Sequence, residues 1–301
     1  MPAEAVLVVS DLRKVYGGRE AVRGVSFTVH RGEIFGVLGP NGAGKTTTLG
    51  MTGGVVPKSG GTVALVGGAL GLVPQRIALY PPLTAEENLR FFGGVYGVTG
   101  HRLERRVDEL LELAGLSARR HDRVAVFSEG MKRRLNLVCG LVHQPQVVLL
   151  DEPTVGIDPQ SRERIYETMQ GLAADGLALV LSTHYMDEAE RLCSRLAILD
   201  EGACVAEGTV EQLVEELGGG RTIELELARE PKENLAASLS EWNAVPNGVS
   251  SYRIRTADAE KVLALLIPLV AQEANVVLQL RLSRPNLGDV FMELTGKELR
   301  D

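Results

Sequence analysis

The chain carries four nearly unbroken apolar runs: Ile34–Leu38, Val147–Leu150, Leu177–Leu181 and Leu196–Leu199. Segments this short and this apolar predict strands buried on both faces of a parallel sheet. A different pattern holds near the start. There Val6 to Val9 is an apolar strand, and Val25, Phe27 and Val29 alternate with Ser26, Thr28 and His30. That period of two predicts a small, half-buried antiparallel region. Two further short strands are expected over 60–68 and 71–75.

Helical spacing appears between these strands. Thr84 and Glu87 form a Thr-x-x-Glu capping box ahead of Leu89 and Phe91. Val107, Leu110, Leu111 and Ala114 share one helical face, and Gly115 ends that helix. Ser128 is placed to cap a third helix, with Leu135, Val138 and Val142 on its buried side. Residues 185–193 read as a short helix before the last apolar run, which a turn at Asp200-Glu201-Gly202 closes.

The pattern changes at Gly218-Gly219-Gly220, which predicts a domain boundary. Beyond it Ile223, Leu225 and Leu227 alternate with Glu224 and Glu226. Residues 232–242 read as a helix, and Pro246-Asn247-Gly248 as a turn. Tyr252 and Ile254 mark another strand. Thr256 is expected to cap a helix reaching about Ala271, and Leu278, Leu280 and Leu282 mark a final strand. The order βαββαβ is the ferredoxin-like pattern. A terminal helix over 287–294 closes the chain.

Composition narrows the classes. The 301 residues suffice for one large and one small domain, with 45% apolar and 24% charged residues. The longest apolar stretch, Val262 to Val270, is too short for a membrane span and contains Pro268. The first residues lack the pattern of a signal peptide. The three cysteines, Cys139, Cys193 and Cys204, have no metal-ligand or redox spacing. These features point to the cytoplasm. A net charge of −7 argues against a general nucleic-acid binder. The basic clusters at 119–123 and 132–134 read as solvated faces.

Chemistry concentrates at Gly39-Pro40-Asn41-Gly42-Ala43-Gly44-Lys45-Thr46, a full match to G-x-x-x-x-G-K-[ST]. A buried strand precedes it, and Thr46-Thr47-Thr48-Leu49 opens a helix after it. Such a loop turns backbone N–H groups toward phosphate oxygens, and the helix N-terminus faces the same anion. Lys45 is expected on the β- and γ-phosphates and Thr46 on Mg²⁺. The run 147–150 ends in Asp151 and Glu152. The first acid is suited to hold Mg²⁺ through water, the second to polarise attacking water. Gln75, just past its strand, can reach Mg²⁺ or that water. His184, at the end of the third run, can reach the γ-phosphate. Tyr16 before Gly17-Gly18 reads either as a base-stacking aromatic or as a hairpin residue.

Taken in order, these motifs resemble the ATP-binding subunit of ATP-binding cassette (ABC) transporters over residues 1–217. Tyr16 then resembles the adenine-stacking aromatic, 39–46 the Walker A loop and Gln75 the Q-loop. Phe127-Ser128-Glu129-Gly130-Met131 resembles the signature, Leu149 to Pro153 Walker B, Asp158 the D-loop residue, and Thr183-His184 the switch histidine. The segment 182–190 and the closing 287–291 resemble the drug and antibiotic exporter subgroup. The resemblance implies an α/β fold: a RecA-like core, an antiparallel β subdomain and a helical subdomain over about 80–142. A small α+β accessory domain over 218–301 would follow. It implies ATP and Mg²⁺, with Thr46, Gln75 and Asp151 at the metal. It also implies a homodimer in which Ser128, Glu129 and Gly130 of one chain face the nucleotide of the other. The partner would be a membrane permease, holding the chain on the inner face of the cell membrane, with no nucleic acid.

Two features depart from that family's pattern. Glu129 stands where glycine is usual, bringing a carboxylate toward the phosphates unless it points away. The connection from Gly67 to Leu72 is shorter than usual. Three other classes stay open at this point: a soluble ABC-type mechanical or regulatory ATPase, a P-loop kinase, and a degenerate module that binds ATP without hydrolysis.

Overall fold

The computed structural model describes residues 4–216, 220–283 and 286–296. They form two compact units, the second beginning at Val210. The first unit opens with β1 (Ala5–Tyr16) and β2 (Arg19–His30), then β3 (Ile34–Leu38), α1 (Lys45–Thr52), β4 (Gly60–Leu65) and β5 (Leu70–Val73). Three helices follow: α2 (Ala85–Val95), α3 (Gly100–Leu113) and α4 (Glu129–Cys139). The unit continues with β6 (Val147–Asp151), α5 (Pro159–Ala174), β7 (Ala178–Thr183), α6 (Met186–Leu192), β8 (Arg195–Asp200) and β9 (Ala203–Gly208).

The four apolar runs are neighbours. The six-stranded sheet has the order β5-β6-β7-β3-β8-β9, parallel from β5 through β8 and antiparallel only at β9. Every residue of β3, β6 and β7 is buried. A separate antiparallel sheet, β2-β1-β4, turns its apolar face toward this one. Leu7 of β1 and Val25 and Phe27 of β2 share one core with Phe35, Val37, Leu149 and Val180. A turn at 66–69 joins β4 to β5, with Gly67 and Gly68 both in the left-handed region, φ 74° and 66°. Glycine adopts that backbone without steric penalty.

The helix signals behave as their chemistry requires. Thr84 and Glu87 form both bonds of the capping box on α2. Ser128 Oγ accepts from Met131 N at the start of α4. Gly115, φ 62°, stops the chain just beyond α3. Val142 is buried but lies past the end of α4, so it belongs to the turn into β6 rather than to the helix face.

The second unit holds α7 (Val210–Glu216), β10 (Arg221–Leu227), α8 (Glu233–Glu241), β11 (Val245–Pro246), β12 (Ser251–Thr256), α9 (Ala259–Gln272), β13 (Val277–Ser283) and α10 (Leu287–Thr295). Its antiparallel sheet runs β11-β12-β10-β13. Ile223, Leu225 and Leu227 meet Leu235, Leu239, Val262 and Leu266 in a separate core. Two expectations change here, and one strand shows an exposure that its alternation did not indicate. The cap of α9 is Asp258, which accepts from Lys261 N; Thr256 Oγ1 instead accepts from Asp258 N. Leu278, Leu280 and Leu282 alternate as a strand should, yet all three stay exposed because β13 is an edge. The unit also starts before the glycine run: α7 belongs to it, through packing on α10. Gly218 and Gly219 lie outside the described residues. Among the described residues, no helix is long and apolar enough to cross a membrane.

Candidate nucleotide site

Sheet order explains the site. Four adjacent strands, β5, β6, β7 and β3, end at the same edge. At their ends or just past them come Gln75, the pair Asp151-Glu152, His184 and the loop into Lys45. Open α/β sheets bind ligands at this carboxyl edge.

The loop is tightly folded. Gly44 caps α1 with φ 99°, and a Cβ there would sit 2.8 Å from Ala21 O. A Cβ on Gly39 would sit 2.2 Å from Leu199 O. Lys45 is buried and donates to Gly39 O at 2.8 Å and Pro40 O at 3.2 Å. The loop carbonyls therefore aim the ammonium inward. Burial holds its pKa below the usual lysine range, against the pull of Glu152 and Asp151.

Glu152 is the hub. Its Oε1 lies 3.2 Å from Lys45 Nζ and 3.2 Å from His184 Nδ1. Its Oε2 accepts from Gln75 Nε2 at 2.8 Å. The Glu152 backbone is left-handed, φ 45°, and its N–H faces both Ser182 O and Ser182 Oγ. A non-glycine residue held this way is a local strain that the surrounding bonds must maintain. Asp151 Oδ1 accepts from Ser182 Oγ at 2.6 Å and Thr46 Oγ1 at 3.2 Å. Burial raises its carboxyl above the usual range, opposed by those two bonds.

A cleft of about 270 Å³ opens on this cluster, lined by Asn41, Gly42, Gly44, Lys45, Thr46, Thr47, Gln75 and Glu152. Ala21 of β2 also lines it. Sequence reading missed Ala21 and the part played by Ser182. An alanine in a strand carries no signal, and only the register of β6 with β7 sets Ser182 beside Asp151. Gly39, Pro40 and Ala43 shape the loop behind the cleft.

Other expected residues lie elsewhere. Tyr16 ends β1 at the hairpin, half exposed, with Lys14 Nζ 4.7 Å from its ring centre. It is not among the residues lining the cleft. Asp158 caps α5, accepting from Ser161 N at 2.9 Å. Those bonds hold its pKa below the usual carboxylate range. Glu129 lines a second cavity of about 610 Å³ with Gln75, Lys132 and Arg133. Its carboxylate turns back along its own helix, 3.8 Å from Arg133 Nε. Arg133 in turn donates to Gln75 O. Gln75 thus borders both cavities. The short connection at 66–69 does not remove it from the cluster.

A phosphate-binding loop facing a strand-end acid pair defines a nucleoside triphosphatase core. The family described as ABC transporter matches residues 22–155. The linearmycin resistance ATP-binding protein LnrL of Bacillus subtilis (strain 168) is 42% identical, covering 98% of this chain and 100% of that protein. The Nod factor export ATP-binding protein I of Ralstonia nicotianae is 39% identical, with 98% and 95% covered. A solved ATP-binding subunit of an ABC transporter is 33% identical, with a TM-score of 0.65 over 71% of this chain and 93% of its own. The chain belongs to the ATP-binding subunits of ABC transporters. It binds ATP, and its activity is that family's hydrolysis of ATP to ADP and phosphate.

Proposed function

We propose that the chain energises export of a substrate through a separate membrane permease, by closing and opening of a two-chain assembly around MgATP. One observation carries the chemistry: Lys45, Gln75 and His184 all converge on Glu152. On this reading Glu152 is the general base, which takes the proton as water attacks the γ-phosphorus and ADP leaves. Lys45 clamps the phosphates, and the loop from Gly39 to Thr47 holds them through backbone N–H groups. His184 contacts the γ-phosphate.

The donor set fits Mg²⁺. Thr46 Oγ1, the Gln75 amide oxygen and the Asp151 carboxylate are hard oxygen donors around one cleft. Thr46 and Gln75 would bind the ion and Asp151 would hold it through water. When bound, the ion supplies charge neutralisation on the phosphates.

The second chain completes the site. A single loop leaves one side of a triphosphate open to water. The N-terminus of α4, capped by Ser128, offers N–H donors for that side in a two-fold arrangement. Glu129 facing Arg133 leaves the N–H groups of Glu129 and Gly130 available. Tyr16 would stack on adenine, and Asp158 would face the partner near its cap. Every residue lining the cleft lies in the first unit. The second unit is proposed as an accessory domain for assembly or regulation. Export follows the names of the relatives, and the chain would sit on the inner face of the membrane through its permease.

A mixing experiment tests the shared site. Lys45→Ala and Ser128→Arg chains are each expected to be inactive. Their heterodimer has one site with both lesions and one with neither, so turnover should partly return on mixing. Full turnover by a demonstrably monomeric chain would remove the two-chain reading.

A further inference from the structure

We infer that Glu188 is a positioning residue, which through its bond to Thr154 fixes the turn after Glu152 relative to the segment bearing His184. The inference rests on the reading of Glu152 and His184 as the reacting pair.

Glu188 lies on α6, one helical turn beyond His184, and is 1% exposed. Thr154, two residues beyond Glu152, is fully buried. Thr154 Oγ1 donates to Glu188 Oε1 at 2.6 Å, a length usual for a hydroxyl bonded to a carboxylate. The hydroxyls of Thr183 and Tyr166 lie beside the same carboxyl, although Oε2 completes no hydrogen bond. Thr183 Oγ1 accepts from Tyr185 N at 3.0 Å, bracketing His184. Tyr166 belongs to α5, the helix that Asp158 caps. One buried carboxyl thus meets the segments that carry Glu152, His184 and Asp158.

Packing alone does not call for an acid here. An apolar side chain fills such a space with a smaller desolvation penalty. What the carboxylate adds is a directed acceptor. Glu152 is also held by Lys45, Gln75 and His184. Phosphates entering the cleft compete for those three groups. The Thr154–Glu188 bond lies behind the cleft and survives that exchange, keeping base and histidine in register.

The test uses the whole chain with MgATP, reading kcat, KM and nucleotide binding by equilibrium dialysis. Thr154→Val and Glu188→Leu should each lower kcat about 10–100-fold, the scale of a misplaced reacting group. KM and nucleotide affinity should stay within roughly threefold of the native chain. Thr154→Ser, which keeps the hydroxyl, should restore most of the turnover. The double variant should fall no further than the worse single one, as expected of one shared interaction. Should Glu188→Leu not fold, Glu188→Gln replaces it in the cycle, with the same non-additivity expected. Losses that multiply in the double variant, an unchanged kcat, or affinity falling in step with kcat would each overturn the inference. Glu152→Gln is run alongside. Undiminished turnover there would defeat the assignment of the base itself, a separate failure.

Discussion

Lys45 Nζ lies 3.2 Å from Glu152 Oε1, with only 4% and 5% of the two side chains exposed. The cation that is to clamp phosphate is thus neutralised by the carboxylate that is to activate water. A buried pair of this kind is stabilised by its mutual attraction against a large desolvation penalty. On the proposed reading an entering γ-phosphate would offer Lys45 a more highly charged partner and free Glu152.

Glu152→Gln should therefore slow hydrolysis by about 10²–10⁴-fold, the usual range for a lost general base. The amide can still accept from one donor, so the loop should keep its shape. MgATP binding should persist and the two-chain form should accumulate in size-exclusion chromatography. Turnover at the native rate would assign the base elsewhere.

Asp151 gives a prediction about pH. Burial raises its folded-state pKa above the unfolded one, so ionising this carboxyl costs more in the folded chain than in the unfolded one. The group therefore subtracts stability above its folded pKa, and that penalty fades as the pH falls through that value toward the unfolded one. Asp151→Asn keeps an acceptor for Ser182 and Thr46 and removes the charge. The nucleotide-free variant should melt a few degrees higher near pH 7.5, with the gain shrinking in acid. Added MgATP should raise its melting temperature less than that of the native chain. A lower melting point near pH 7.5, by calorimetry, would contradict this account.

Glu129 should act as a brake on assembly. Its side chain is half exposed and is drawn toward Arg133 at 3.8 Å, a weak restraint. In the proposed two-chain form it approaches the partner's phosphates. Glu129→Gly should raise the ATPase rate at limiting protein concentration by roughly 2–10-fold, the scale of one screened like-charge contact. Moderate salt should narrow the gap between variant and native chain. An unchanged concentration dependence would show that the carboxylate never nears the nucleotide.

Gly130 is fixed by packing as well as by chemistry. A Cβ there would lie 2.1 Å from Ser161 Oγ and 2.6 Å from Ser161 Cβ. Rotating the serine cannot relieve the second contact. Gly130→Ala should destabilise the chain by about 1–3 kcal/mol, as overpacking does. Adding Ser161→Gly should recover most of the loss in urea titrations. If the double variant is no more stable than Gly130→Ala, the clash is not the cause.

The candidate cluster was largely legible in the sequence because its motifs are local and follow short apolar strands. Residues 34–38 and 147–150 announced buried strands, so the groups after them had to arrive at one edge. The convergence on Glu152 was not legible, since it depends on strand order. Ser182 became meaningful only once β7 lay between β6 and β3. The strand 203–208 and the helix 210–216 went unread because Cys204, Val205 and Leu213 make no sustained period of two or 3.6. Thr256 looked like a cap since it precedes a periodic run, but Asp258 stands nearer the first turn and took that place. The leucines of β13 alternated correctly while giving no sign that their strand would be an edge.

The two units have separate apolar cores, one around Phe35 and Leu149 and one around Leu225 and Leu266. Heat need not remove both at once. If it does not, a single unfolding free energy is not defined for the whole chain, because two cooperative blocks would replace one all-or-none transition. On the proposed reading nucleotide binds in the cleft of the first block, so mass action should lift one heat-absorption peak in a calorimetric scan and leave the other at its own temperature. A variant screened by one melting temperature would report whichever block yields first. The block that carries the ATP chemistry is identified by the peak that moves with MgATP concentration.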